Sequence, residues 1–117
     1  MSDETSREWR FYIDDMIGFA EKVLSYSRGF DQAKFVESDL HYDAALRNLE
    51  LIGEAATHIP EEIRIAHPHI PWRLAIATRN RLIHGYLGID DDVLWTIIEQ
   101  DVPALLAELR ALRAKLA

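Results

Sequence analysis

The amino-acid sequence predicts an all-α fold, an antiparallel four-helix bundle with one or two short extra helices. Apolar residues recur every three or four positions along most of the 117 residues, which is the period of a helix with one buried face. No stretch shows the alternation of a strand, and prolines, glycines and acidic residues stand where helices would begin or end. We therefore expect a single helical domain covering residues 1–117.

The first long helix is predicted over about residues 6–26. Thr5 and Glu8 have the spacing of a capping box, in which side-chain oxygens accept hydrogen bonds from free N–H groups at the helix start. Gly29 is expected to end the helix or to open the turn after it. The apolar stripe of this helix comprises Trp9, Ile13, Met16, Ile17, Ala20, Val23 and Leu24.

A short helix is predicted over residues 31–37, and a second long helix follows it. Ser38 or Asp39 can cap that helix, because both side chains accept hydrogen bonds from backbone N–H groups. Arg47 can pair with Glu50, three residues further along the same helix. The apolar stripe comprises Tyr42, Ala45, Leu46, Leu49, Ile52, Gly53 and Ala56.

Prolines divide the second half of the chain. Pro60, followed by two glutamates, is typical of the first turn of a short helix, and Pro68 ends that helix. Pro71 opens a further helix that carries Trp72 as a core residue and ends near Gly85. Residues 90–92, all aspartates, supply the cap and first turn of the last helix, which Pro103 should kink or split in two.

Composition excludes several classes of protein. The chain has no cysteine, which rules out disulfides, thiol catalysis and thiolate metal ligands. It has no apolar run of the roughly 20 residues that span a bilayer, and its first residues lack a signal-peptide pattern. We therefore expect a soluble cytoplasmic protein that does not engage membranes. A net charge of −7 also argues against a nonspecific nucleic-acid coat.

That net charge conceals an asymmetry. Residues 63–89 contain four arginines, three histidines and no carboxylate, so the acidic excess lies in the rest of the chain. The segment is either a buried helix whose arginines bridge to the surrounding acids, or an anion site inside an otherwise acidic protein.

One string within that segment could carry chemistry, namely Arg79-Asn80-Arg81-Leu82-Ile83-His84-Gly85-Tyr86. Asn80 and His84 share a helix face, so the amide can orient the imidazole. Arg79 and His84 converge only if the arginine bends across or the helix unwinds at Gly85. The alternative is a plain helix C-terminus, where the arginine and histidine bind the last carbonyls.

An arginine and a histidine without a metal suit RNA cleavage by the 2′-hydroxyl of the substrate. Histidine exchanges protons near neutral pH, and the arginine guanidinium stabilises the charged phosphorus centre. One histidine cannot act as acid and base at the same instant, whereas two copies in a symmetric dimer could. Apolar residues outside the main stripes, such as Phe11, Phe30 and Leu51, point weakly to the same dimer.

Two other pairs of polar residues are less suited to chemistry. His67 and His69 flank a proline and have no third ligand nearby in sequence, so we expect no metal site. Glu54 and His58, four residues apart, are expected to form a surface pair. The chain has no phosphate-binding glycine loop, and we expect no cofactor.

The string resembles the R-N-x-x-x-H-x-Y signature of HEPN domains, specifically the HepT-like toxins encoded beside a minimal nucleotidyltransferase (MNT) antitoxin. The resemblance extends over about residues 11–109. Further matching stretches are Arg47-Asn48-Leu49-Glu50-Leu51-Ile52-Gly53-Glu54-Ala55, Ile70-Pro71-Trp72-Arg73, Val93-Leu94-Trp95 and Asp101-Val102-Pro103.

The resemblance implies a HEPN-like bundle that forms a homodimer and acts as a metal-independent endoribonuclease on tRNA or mRNA. It implies that Arg79 and His84 are catalytic, that Asn80 supports them, and that the MNT antitoxin adenylylates (AMPylates) Tyr86 to silence the toxin. Two alternatives remain open. The chain could be a non-catalytic nucleotide-binding partner subunit of a nucleotidyltransferase, or an interaction module that only assembles with one.

Overall fold

A computed structural model describes residues 3–73, 75, 76 and 90–116, with residues 3–7 described as backbone alone. Every regular element in these ranges is helical, which confirms the all-α prediction. The helices are α1 (Asp3–Ser27), α2 (Gln32–Glu37), α3 (Asp39–Thr57), α4 (Glu61–Ala66), α5 (Asp91–Thr96) and α6 (Val102–Lys115). Residues 72, 73, 75 and 76 are also helical, as Pro71 predicts.

α1, α3 and α6 form the body of an antiparallel bundle. Near the start of α1 the Tyr12 ring stacks on His58, which follows the end of α3, so these helices run in opposite directions. Arg113 bonds to Asp14 and Arg110 bonds to Glu21, so α6 also runs antiparallel to α1. α1 packs along both helices, and α2 closes one end of the bundle against α3 and α5.

The predicted stripes form the core. Phe35 of α2 is fully buried, with its ring centroid 5.8 Å from that of Tyr42 and 5.4 Å from that of Trp95. Phe11, by contrast, is 63% exposed, whereas Phe30 packs partly against the core. The buried side chains of the three long helices include Ile13, Met16, Ala20, Val23, Ala45, Leu49, Ile52, Ala56, Leu105, Leu109 and Leu112.

The predicted start of α1 differs from the structure, whereas the predicted start of α3 is confirmed but lacks the side-chain cap bond. α1 begins at Asp3, so Thr5 lies inside the helix and is not its N-cap. Acidic residues are favourable in the first turn of a helix because of the helix dipole, and Asp3 and Glu4 are such residues. Ser38 is the N-cap of α3, but its hydroxyl bonds to Nδ1 of His41 at 2.6 Å instead of to a backbone N–H group.

The last helix is split as Pro103 predicts. Residues Ile97–Asp101 form a π-helical turn, and the Val102 N–H donates to the Ile97 carbonyl five residues earlier. Pro103 has no N–H group, so it cannot donate the hydrogen bond that the Glu99 carbonyl would accept in an α-helix. The wider π-helical turn lies directly before this missing hydrogen bond. Gly29, with a φ of 82°, makes the predicted turn after α1.

Within the ranges just given, no helix combines the length and apolar character needed to cross a bilayer.

Candidate functional site

Arg79, Asn80, His84 and Tyr86, the four predicted site residues, lie outside the described residues. The structure instead describes the two ends of the chain that lead into and out of their segment. We call residues 72, 75 and 76 the entry anchor and residues 90–92 the exit anchor.

Trp72 holds the start of the entry anchor. Its side chain is 5% exposed, and its indole N–H donates to the His67 carbonyl at 3.0 Å. The Ala75 N–H donates to the Pro71 carbonyl at 3.0 Å, which is the first hydrogen bond of the helix that Pro71 opens. The start of the entry anchor is therefore held by a buried ring and a proline.

The entry anchor then packs against the middle of the bundle. Ala75 is buried and borders a small cavity with Leu49 and Ile52 of α3. Ile97 and Asp101 of the π-helical turn line the same cavity. The helix leading to the predicted site thus rests on α3 and on the irregular turn.

The exit anchor is a capped helix start, as the three aspartates predict. The Asp90 carboxylate accepts hydrogen bonds from the N–H groups of Asp92 and Val93, at 3.0 and 3.2 Å. Carboxylates at this position satisfy free donors and interact favourably with the helix dipole. The chain therefore leaves the undescribed segment at a fixed point.

Two side-chain hydrogen bonds tie the exit anchor to the rest of the fold. The Tyr42 hydroxyl donates to Oδ1 of Asp91 at 2.6 Å, and Gln32 Nε2 donates to Oδ1 of Asp92 at 2.5 Å. Burial raises the pKa of Tyr42 above its ordinary value, and the hydrogen bond to Asp91 raises it further. Tyr42 was predicted only as a core residue, since no local pattern reveals a partner 49 positions away.

Two of the four arginines in the acid-free segment, Arg64 and Arg73, lie among the described residues. Among the described side chains, neither Arg64 nor Arg73 forms an ion pair with a carboxylate, whereas Arg47 pairs with Glu50 as predicted, at 3.6 Å. His69 lies 3.4 Å from Glu108. Within the described side chains, Arg64 and Arg73 therefore have no carboxylate partner.

The other polar pairs behave differently. No group of three potential metal ligands occurs within residues 3–73, 75, 76 and 90–116. The expected pair of Glu54 with His58 is wrong, because the His58 ring stacks on Tyr12 with ring centroids 4.5 Å apart and forms no ion pair with Glu54. An aromatic neighbour on α1 outweighs a weak exposed ion pair.

Comparison with known proteins places the chain among ribonucleases. The family model described as "Ribonuclease HepT-like" matches residues 16–112. A Thermococcus cleftensis protein named "Probable ribonuclease HepT" is 35% identical over 92% of this chain and 97% of its own length. A Methanocaldococcus jannaschii protein named "Putative RNase MJ1380" is 33% identical over 90% of this chain and 96% of its own length. No solved structure matches.

Proposed function

Because the chain belongs to the HepT-like ribonuclease family, we propose that it is a metal-independent endoribonuclease that cleaves RNA, either tRNA or mRNA. The observation that carries the proposal is the Arg79, Asn80, His84 and Tyr86 set, which is complete within the residues that the family model matches. The two anchors support it, because they fix both ends of the segment that holds this set.

The reaction uses the substrate's own nucleophile. One His84 takes the proton from a ribose 2′-hydroxyl, and the 2′-oxygen forms a bond to the adjacent phosphorus. Arg79 stabilises the charge on the phosphoryl oxygens while the bond from phosphorus to the 5′-oxygen breaks. A second protonated imidazole gives its proton to the leaving 5′-oxygen. The products are a 2′,3′-cyclic phosphate and a 5′-hydroxyl, and Asn80 orients His84.

The second imidazole comes from a second copy of the chain. Base and acid act in the same displacement, and each copy contributes one His84. A twofold dimer that brings the two motifs to one cleft supplies both groups and also doubles the positive charge there.

The proposed biological role is that of the toxin in a toxin–antitoxin pair. The partner is an MNT antitoxin that transfers AMP to the Tyr86 hydroxyl, releasing pyrophosphate from ATP. The added phosphate places negative charge two residues from His84, where it repels the RNA backbone and blocks access. Silencing then needs no change in the fold.

Cleavage of a labelled RNA by purified, unmodified protein tests the proposal. We expect fragments that end in 2′,3′-cyclic phosphate, undiminished cleavage in EDTA, and no cleavage when the 2′-hydroxyls are methylated. The Arg79→Ala and His84→Ala variants should each lose about 10²-fold or more of the rate.

Strict dependence on added Mg²⁺ would overturn the mechanism. Intact RNA with the wild-type protein, combined with tight ATP binding, would favour the nucleotide-binding subunit instead. Arg110→Gln serves as the matched control for Arg79→Ala, because Arg110 lies at an exposed ion pair with Glu21 and should not affect cleavage.

A further inference from the structure

An open groove with a volume of about 500 Å³ lies beside the entry anchor. Its walls come from α4 and from the chain that leads into Trp72. We call it the basic groove; the residues that define it are Glu61, Arg64, Ile65, Pro68, Trp72 and Arg73.

One wall of the basic groove is rigid. The Ile70 N–H and the Trp72 indole N–H both donate to the His67 carbonyl, at 3.2 and 3.0 Å. The Trp72 backbone N–H donates to the Ile70 carbonyl at 2.8 Å, and both side chains are buried. A surface that is already ordered loses little conformational entropy when a ligand binds.

The groove is positive within an acidic protein. Arg64 and Arg73 line it, and no described carboxylate lies within ion-pairing distance of either. The Arg64 Nε atom is buried and has no hydrogen-bond partner among the described residues. Glu61 is the single carboxylate of the lining, and it forms no ion pair with Arg64. Two guanidiniums that lack a carboxylate partner among the described side chains are suited to phosphate oxygens.

We propose that the basic groove binds the phosphate backbone of the RNA strand outside the cleavage site, with Arg64 and Arg73 on separate phosphates. Ile65, which is 68% exposed, gives sugars and bases an apolar surface between these contacts. The choice of RNA as the polyanion rests on the proposed function. Arg73 precedes Arg79 by six residues in the sequence.

Binding of a fluorescent, fully 2′-O-methylated RNA of 20 nucleotides tests the groove without cleavage. We expect Arg64→Gln/Arg73→Gln to lower the affinity about tenfold at 0.1 M salt. The slope of log affinity against log salt should fall by about 1.4, because each phosphate contact on a single strand contributes about 0.7. Arg28→Gln/Arg47→Gln removes the same charge from exposed positions elsewhere and should change the affinity less than about twofold.

A second pair of variants, at one exposed position, shows whether a loss of binding reflects the charge of the groove and not a folding defect. Ile65→Glu places a carboxylate in the groove at an exposed position and should weaken binding more than Ile65→Gln, which removes only the apolar surface. Absence of binding by the wild-type protein, equal losses in both arginine double variants, or an unchanged salt slope would overturn the proposal. If the groove binds the methylated RNA but the wild-type protein does not cleave unmodified RNA, the ribonuclease proposal is wrong and the groove proposal is retained.

Discussion

The Tyr42 hydroxyl donates a 2.6 Å hydrogen bond to Oδ1 of Asp91, and this contact joins the first turn of α3 to the first turn of α5. Asp91 follows the cap residue Asp90 directly, so the bond holds the exit anchor to the bundle. Ala75 of the entry anchor also borders α3, so both described flanks of the segment that holds the proposed catalytic residues contact this helix.

Tyr42→Phe should lower the free energy of unfolding by about 1–2 kcal/mol, because it removes one hydrogen bond and leaves a half-buried carboxylate without its donor. Urea denaturation measures this change. Tyr26→Phe is the matched control, since Tyr26 is half-buried and its hydroxyl has no hydrogen bond among the described residues. Equal effects of the two variants would show that the bond to Asp91 does not stabilise the fold.

The free energy of unfolding should fall at alkaline pH because the Tyr42 phenol ionises. Its pKa is raised in the folded state, so the unfolded chain loses the phenol proton first, once the pH rises past its ordinary value near 10. The contribution is complete below that pH and is lost as the pH increases further. Thermal midpoints between pH 8 and about 11 should therefore decline more steeply for the wild type than for Tyr42→Phe. Parallel curves would contradict the assignment.

Trp72→Phe should destabilise the fold by about 1–3 kcal/mol, because the His67 carbonyl loses its indole donor and the smaller ring buries less apolar surface in the core. Trp95→Phe provides the comparison: Trp95 is half-buried, and its indole N–H makes no hydrogen bond within the described part of the chain. We also expect faster hydrogen exchange at Ile70 in Trp72→Phe alone. Unchanged exchange would mean that the loop before the entry anchor is held by other contacts.

Subunit mixing tests the shared cleft. If both His84 residues act in one cleavage, wild-type protein mixed with His84→Ala retains activity only in wild-type homodimers. An equal mixture then keeps about a quarter of the activity, whereas independent sites would keep about half. The measurement is the cleavage rate after subunit exchange, with Arg47→Gln as the mixing partner in the control.

Under the proposed function, co-expression with an MNT antitoxin should add the mass of AMP to the chain. Intact-mass spectrometry should detect the increment in the wild type and not in Tyr86→Phe, with Tyr26→Phe as the control that keeps it. Modification that persists in Tyr86→Phe would assign the acceptor to another residue.

Local signals in the sequence predicted most of the helices. The Asp90 cap, the Gly29 turn and the break at Pro103 each depend on one residue's own chemistry, and all three are confirmed. The start of α1 was placed three residues late, because a good capping pattern at Thr5 competes with helix-favouring acids before it.

Contacts between distant elements were not predictable in the same way. Tyr42 with Asp91, His58 with Tyr12, and the meeting of Arg64 with Arg73 in one groove depend on how helices pack, which a single sequence does not encode locally. The four motif residues stay predictions, since they lie outside the described ranges.

The π-helical turn of Ile97–Asp101 has a mechanical consequence. A continuous helix transmits a rotation from one end to the other, whereas a bulge followed by a proline interrupts the ladder of hydrogen bonds that carries it. A strain introduced beside Asp90, for example by a nucleotide attached to the segment before it, should therefore dissipate at this turn. The contacts of Arg110 and Arg113 with α1 should then stay undisturbed when Tyr86 carries the proposed modification.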